Sequence, residues 1–421
     1  MPASSPQVRR RKVFYIPGYD PFPPRRYREL YRKEGAQQAE ISGYGLRVSG
    51  NPPDAQEDSY GWQASGLIDD TRVHADFEVL VWSDIVQSTM STTIPGTYWQ
   101  LLRTSWIYIA SGTLRRLAVL PKGPLAAALY PIGVLILQLS VALLAAHLLG
   151  WALSAGFRAL ALGLIGDGAV LRWGMALLYW GPFFASVVVI LRWFKAQDRR
   201  IYAYYLMNDF AFSASHKGAT PPQLQDRLDA FRATIASALQ QDYDEVLVVG
   251  HSSGAHLAVS ILADILRDLK EPPTALSLLS LGQVIPMVSF LPDAHQLRAD
   301  LQFLSERDEI VWIDVTAPGD GCSFALCDPV STSGVATRDK QWPLVFSAQF
   351  SRSMGEAQWQ KLRRKYFRLH FQYLCAFQNP LDYDYFQITA GPLTLGTRYA
   401  TRPPSKSRID VPVSKYTSTR P

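Results

Sequence analysis

Cysteine is scarce in this chain: Cys322, Cys327 and Cys375 are the three among 421 residues. That is too few for a disulfide framework, and no paired C-x-x-C spacing of a zinc site is present. Such usage points to a reducing, cytosol-facing setting. Charge is also sparse, at 19% Asp, Glu, Lys and Arg, where average soluble proteins carry roughly 25%. With 48% hydrophobic residues, a disordered chain is excluded. There is no G-x-x-x-x-G-K-[ST] loop for phosphates and no H-E-x-x-H, so no cofactor or metal is expected. The net charge of +6 does not mark a nucleic-acid binder, because the basic residues gather at the flanks of apolar segments and in the tails rather than on an aromatic platform. The length suits either two to three domains or one large α/β domain with an insertion.

Long apolar runs are what the chain has instead. From Gly123 to Phe157 there is no charged residue, far more than the roughly 20 residues that cross a hydrocarbon core of about 30 Å. A second charge-free window, Trp173–Leu191, has Trp173 at one end and Trp193 just beyond the other, the aromatic flanking of an interface. Two transmembrane helices near 124–152 and 172–193 are therefore expected, within a membrane insertion spanning 105–200. Arg103, Arg115, Arg116 and Lys122 precede the pair and Arg192, Lys195, Arg199 and Arg200 follow it, whereas only Arg158 and Arg172 lie between. The positive-inside rule then puts both long flanks on the cytoplasmic side of a cell (inner) membrane. The apolar linker over 158–172 has no readable depth. The first dozen residues, MPASSPQVRRRK, are polar and basic, so no cleaved secretory leader is expected.

Outside this hairpin, short apolar strands alternate with amphipathic helices, the pattern of an α/β protein with a mostly parallel sheet. The strand candidates are Lys12–Ile16, Glu78–Trp82, Glu245–Val249, Ala275–Leu281 and Glu309–Thr316, each bounded by Gly, Pro or Asp. The Gly- and Asp-rich stretch between Gly43 and His74 suits a hairpin. Residues 1–11 and 396–421 are polar and basic, and flexible tails are expected there.

One segment carries a specific chemical signal. In DEVLVVGHSSGAHLAVSILADILRDLK, the run Gly250-His251-Ser252-Ser253-Gly254 fits G-x-S-x-G, a pattern expected by chance only roughly 0.1 times in such a chain. Its context is specific as well. A buried-strand run enters it, and Ser260, Asp264, Arg267 and Asp268 recur at helical spacing opposite an apolar face behind it. A serine in a sharp strand-to-helix turn needs glycines two residues away on each side, because side chains there would clash.

On these residues the chain resembles the α/β-hydrolase superfamily, in particular its serine esterases, lipases and thioesterases, over roughly 12–104 and 201–395. The resemblance implies a Ser nucleophile, an acid and a His in that chain order, with two backbone N–H groups as oxyanion hole. Ser252 is then the nucleophile, and the N–H of Ser253, at the start of a helix, is one oxyanion donor. The second is expected from Gly18 and Tyr19 in the loop after the first strand. The HGGG form of many lipases is missing. Of seven histidines, His370 alone lies beyond every candidate acid. For the acid, loop position favours Asp320 over Asp314 within the preceding strand, with Asp328 also open. Ester or thioester hydrolysis through an acyl-enzyme is the implied activity, with a bilayer and a lipid-like acyl ester as partners. Arg25, Arg26, Arg28, Arg32 and Lys33 either meet anionic headgroups or form a solvated face. An acyltransferase with the same triad, or an inactive scaffold of the same fold, remains open; oligomeric state is not readable.

Overall fold

In the computed structural model, residues 7–50, 60–269 and 271–421 are described. They divide into two compact units. One comprises the chain up to Thr89 with Ile107–Ala126 and Ser213–Pro421; the other comprises Met90–Trp106 and Ala127–Phe212.

The larger unit is α/β. Its sheet is built from β1 (Arg10–Ile16), β2 (Gly45–Ser49), β3 (Tyr60–Ile68), β4 (Thr71–Val79), β5 (Glu245–His251), β6 (Ala275–Leu281), β7 (Ile310–Thr316) and β8 (Leu344–Ser347). The order is β2-β3-β4-β1-β5-β6-β7-β8. The six strands from β4 to β8 run parallel, and β2 and β3 form an antiparallel edge. Every residue of β5 is buried, as a central parallel strand covered on both faces requires. Aromatic side chains fill one face: Tyr31 lies against Phe77 at 4.6 Å between ring centres, and Phe77 stacks on Trp62 at 4.7 Å. The helix Gly254–Asp268 covers the other face through its buried Leu257, Ile261, Leu262 and Ile265.

Chain order makes a switch point at the centre of this sheet. The chain leaves β1, builds the edge out to β2 through β4, then returns to place β5 on β1's other side. The loops following β1 and β5 therefore lie at the carboxyl edge on either side of this switch point, where α/β sheets place ligands. The register aligns these ends, pairing Ile16 with Gly250, Gly250 with Ser280 and Ser280 with Asp314.

At the opposite edge, Arg11 and Glu245 form a fully buried ion pair at 2.7 Å. The guanidinium also donates to the carbonyls of Gly391 and Leu393, and Glu245 accepts from Ser277 Oγ and the Leu395 N–H. Residues 1–11 are thus not a tail throughout: β1 begins at Arg10, and residues 1–6 lie outside the described residues. The expected flexible tail over 396–421 is likewise corrected. Ile409 exchanges hydrogen bonds with Leu326 and Asp328, the N–H groups of Val413 and Ser414 reach the Thr332 carbonyl, and buried Arg298 donates to the Ser418 carbonyl. Backbone-to-backbone bonding of this sort leaves no hydrophobic signature in the residues that make it.

The smaller unit holds two helices, Lys122–Ile165 (which begins in the larger unit) and Ala169–Ala196, each long and apolar enough to cross a membrane. Only 22% and 6% of their most apolar windows are buried, unlike core helices of a globular domain. The expected linker over 158–172 is nearly absent, because the first helix continues through Arg158 to Ile165 and the next begins at Ala169. Gly166, at φ 68°, makes the turn. The helices touch where Tyr179 Oη and His147 Nδ1 share a hydrogen bond of 2.7 Å, and Gly150 lies so close to the Tyr179 carbonyl that a Cβ would come within 2.7 Å of it.

Candidate functional site

Ser252 joins β5 to the helix Gly254–Asp268 with φ 58°, left-handed backbone that costs a non-glycine residue about 1–2 kcal/mol. Strain of this kind gathers at functional sites. The neighbouring glycines are required by contact. A Cβ on Gly254 would lie 2.1 Å from the Ile16 carbonyl oxygen, and one on Gly250 would lie 2.7 Å from Ala255 Cα. The Ser252 N–H donates to the Leu281 carbonyl at 2.9 Å, tying the turn to the end of β6. Ser253 occupies the N-cap of the helix, and its N–H finds no protein acceptor among the described residues.

The loop after β1 runs along the serine. A Cβ on Gly18 would lie 2.8 Å from Ser252 Cβ and 3.2 Å from its Oγ; only glycine permits that approach. Hydrogen bonds hold the loop in place. Trp82 Nε1 donates to the Pro17 carbonyl at 2.9 Å, Tyr19 Oη shares a hydrogen bond with Thr89 Oγ1, and Asp20 accepts from the Phe22 N–H and from Tyr27 Oη at 2.6 Å. Arg26, one of the five basic residues of the helix Arg25–Ser42, pairs with Asp20 at 3.1 Å and lies over the Phe371 ring, while Arg32 pairs with Glu29. Part of that basic run is therefore engaged within the protein.

Asp320 stands in the loop after β7, and His370 ends the short helix Tyr366–His370. Both are buried. His370 Nδ1 meets Asp320 Oδ2 at 2.8 Å, Tyr373 Oη donates to the same oxygen at 3.0 Å, and the Cys322 N–H donates to Oδ1 at 2.9 Å. Burial alone would raise the Asp320 pKa, but the adjacent His370 and the hydrogen bonds it accepts hold it below the ordinary carboxylate value. An ionised Asp320 fixes His370 as the tautomer with hydrogen on Nδ1, leaving Nε2 basic. Burial, then Asp320, pushes the Tyr373 phenol well above its usual value, so Tyr373 stays a neutral donor.

His370 and Ser252 meet at one corner. Gly282, directly after Leu281, has φ 54°, and a Cβ there would lie 3.2 Å from His370 Cε1 and 3.3 Å from Asp320 Oδ2. Ser252 and the dyad are thus brought to the same Leu281–Gly282 turn. No hydrogen bond joins Ser252 Oγ to His370 among the described residues; bonds between a nucleophile and its base commonly tighten only when substrate is bound.

Asp314, the alternative acid, does not reach His370. It lies fully buried within β7, where Ser280 Oγ donates to it at 2.5 Å, and burial pushes its pKa up to about 8. Asp328 caps the helix Pro329–Thr332 and pairs with Lys340 at 2.7 Å. Asp320, Cys322 and His370 also offer three metal-ligand atoms within 4.8 Å of one another. A cation there would displace bonds already formed, since His370 Nδ1 and both Asp320 oxygens are engaged.

Two residues were not foreseen from the sequence. Tyr373 braces Asp320 through its bond to Oδ2. His251 supports His370: its Nε2–H donates to the His370 carbonyl at 2.8 Å, with the two rings 4.8 Å apart. Burial first, then the neighbouring His370, lowers the His251 pKa to about 3, so it is a neutral donor near pH 7. Compared with models of known protein families, with curated proteins and with solved structures, the chain matches none of them.

Proposed function

We propose that the chain is a membrane-anchored serine hydrolase of the α/β-hydrolase type, cleaving carboxylic ester or thioester bonds through an acyl-enzyme on Ser252. The observation that carries this reading is a serine in left-handed backbone at the switch point of a parallel sheet, over a turn shared with a buried Asp–His pair.

In this mechanism His370 Nε2 takes the Ser252 proton as Oγ attacks the acyl carbonyl carbon. The N–H groups of Ser253 and of the Gly18–Tyr19 loop hold the oxyanion. The intermediate collapses, the C–O or C–S bond breaks, and the protonated imidazole returns its proton to the departing alcohol or thiol. Water, deprotonated by the same nitrogen, then attacks the acyl-enzyme and releases the acid and free serine. Asp320 stays ionised and stabilises the imidazolium.

The membrane part of the proposal rests on the two exposed apolar helices between β4 and β5. Burying them in lipid removes from water a surface larger than monomeric soluble proteins usually expose, and the basic flanks put both ends of the pair on the cytoplasmic side. A bilayer-anchored site favours lipid-like acyl esters as substrates.

The test is labelling of the full chain in vesicles with a fluorophosphonate. Labelling of wild type that is lost in Ser252→Ala is expected; a folded wild type that stays unlabelled indicates a scaffold. Turnover with added acceptor alcohols separates hydrolysis, which yields free acid, from acyl transfer, which yields a new ester.

A further inference from the structure

The helix Ile94–Ala110 precedes the two apolar helices and is too short and too polar to cross a membrane, yet its surface is unusual. Trp99, Leu102, Trp106 and Ile109 are 67%, 61%, 72% and 61% exposed. At about 100° per residue, these four positions fall within an arc of about 80°. Thr97, Leu101, Thr104 and Tyr108 are buried, and they fall on the opposite side. The helix therefore packs on the protein by one face and turns two tryptophans and two aliphatic residues outward on the other. Exposed tryptophan is rare on water-facing helices and enriched at the boundary between headgroups and acyl chains.

Three hydrogen bonds within the smaller unit hold the start of this helix, two of them to the apolar pair and one, from Ser91, to the helix Ala203–Ala214. Lys195 Nζ donates to the Thr92 carbonyl, the Ser91 N–H donates to Asn208 Oδ1, and Tyr98 Oη donates to the Leu135 carbonyl at 2.9 Å. The start of Ile94–Ala110 thus lies level with the end of Ala169–Ala196, where Arg192, exposed Trp193 and Lys195 make the anchoring pattern of a membrane interface. From that level, Leu135–Ile165 and Ala169–Lys195 extend for about 45 and 39 Å at 1.5 Å per residue, each enough to span the hydrocarbon core of about 30 Å.

Resting on the proposed membrane anchoring, we infer that Ile94–Ala110 is an interfacial helix, lying in the plane of the bilayer with Trp99, Leu102, Trp106 and Ile109 in the acyl boundary and Arg103 at the headgroups. The partner is the lipid surface. Helices of this class sink about 5–10 Å into the boundary.

The test uses the full chain in phosphatidylcholine–phosphatidylglycerol vesicles. In a Cys322→Ser background, whose remaining Cys327 and Cys375 are buried, nitroxides are placed singly at Trp99→Cys, Leu102→Cys, Trp106→Cys and Ile109→Cys. Val189→Cys on the second apolar helix is the lipid reference and Asp242→Cys, which is 97% exposed, the aqueous one. Collisions with oxygen and with a water-soluble nickel chelate are measured by power saturation. The expected result is an oxygen-to-nickel ratio at all four positions several-fold above that at Asp242→Cys and below that at Val189→Cys. Ratios equal to the aqueous reference, with Val189→Cys in lipid, overturn the interfacial helix alone. A nickel-accessible Val189→Cys overturns the membrane reading and this inference with it. Dipolar broadening that disappears on dilution with unlabelled protein shows that a second copy covers the stripe, and also overturns it.

Discussion

Replacing Asp320 with Asn keeps size and shape while removing the charge, and the surrounding hydrogen bonds dictate how the site responds. One carboxylate oxygen accepts from His370 Nδ1 and Tyr373 Oη, and the other accepts from the Cys322 N–H. An amide has only one accepting oxygen. If its nitrogen takes the Oδ2 position, it faces two donors; His370 must then move its proton to Nε2 to accept from the amide, and the base is lost. If the nitrogen takes the Oδ1 position, it confronts the Cys322 N–H, a buried backbone donor left unsatisfied at about 1–3 kcal/mol. The first arrangement parallels the wrong-tautomer loss known for serine proteases, on the order of 10⁴ in kcat, equivalent to about 5 kcal/mol of transition-state stabilisation at 1.36 kcal/mol per tenfold. The assay is the second-order rate of fluorophosphonate labelling of Asp320→Asn and Asp314→Asn beside wild type, with thermal unfolding to show that each is folded. A rate within tenfold of wild type for Asp320→Asn, with loss confined to Asp314→Asn, would refute the assignment and show that the Asp320–His370 contact is structural.

Four further outcomes are expected. Gly18→Ala puts a methyl 2.8 Å from Ser252 Cβ, overpacking that costs about 1–3 kcal/mol where it displaces the nucleophile, so labelling should slow while the melting temperature falls little; an unchanged rate means that the loop yields freely. His251→Phe removes the donor to the His370 carbonyl; a small misplacement of the base can cost about 10²-fold, and because His251 titrates near 3, the pH–rate profile between 5 and 9 should keep its shape, whereas a shifted limb would mean that His251 itself titrates in turnover. Asp314 is raised from 3.8 to about 8 by burial, so the folded state holds a proton that the unfolded state loses, and its contribution to stability is full below 3.8 and falls as pH rises toward 8; unfolding of Asp314→Asn should show a growing advantage over wild type across that window, and a constant difference would contradict it. Arg11→Met strands Glu245 without its buried partner, a loss of about 3–5 kcal/mol in unfolding free energy, and Arg11→Met with Glu245→Met should recover much of it; no recovery would place the cost in the lost bonds to Gly391 and Leu393.

The central strands were legible because burial on both faces leaves a continuous apolar run. Ala275–Leu281 coincides with its expected span, and Glu245–Val249 is extended by the two residues that lead into the turn. The edge was harder. Of the strand expected at Glu78–Trp82, only Glu78 and Val79 belong to β4, which begins at Thr71; Val73, Ala75, Phe77 and Val79 alternate inward along it, but its first residues fall in the Gly- and Asp-rich stretch expected to be a hairpin. The four-residue β8, Leu344–Ser347, was not foreseen, since so short a run carries no period. The apolar helices were visible as charge-free runs, but a lone Arg158 suggested an end that the helix does not have: one charge does not break i→i+4 hydrogen bonding, and Gly166 does the stopping instead.

For the site, the degree of legibility depends on how local each constraint is. The serine turn is written in five consecutive residues, because sterics within one turn demand both glycines. The choice of Asp320 over Asp314 required knowing only that a loop residue can leave the sheet, and Asp320 is the one bonded to His370. Gly18 was singled out as part of the loop expected to supply an oxyanion N–H, whereas the contact present is to the serine side chain itself, a distance that no spacing within one loop encodes. Tyr373 and His251 illustrate the limit. Each acts by a single hydrogen bond, across 53 and 119 residues respectively, and neither side chain differs in type from buried aromatics elsewhere in the chain. What marks them is convergence on one acid and one carbonyl, which exists only once β5, the loop after β7 and the segment after residue 365 have been brought to a common edge. Residues that position a base are therefore the least readable part of such a site, although a misplaced base still costs about 10²-fold in rate.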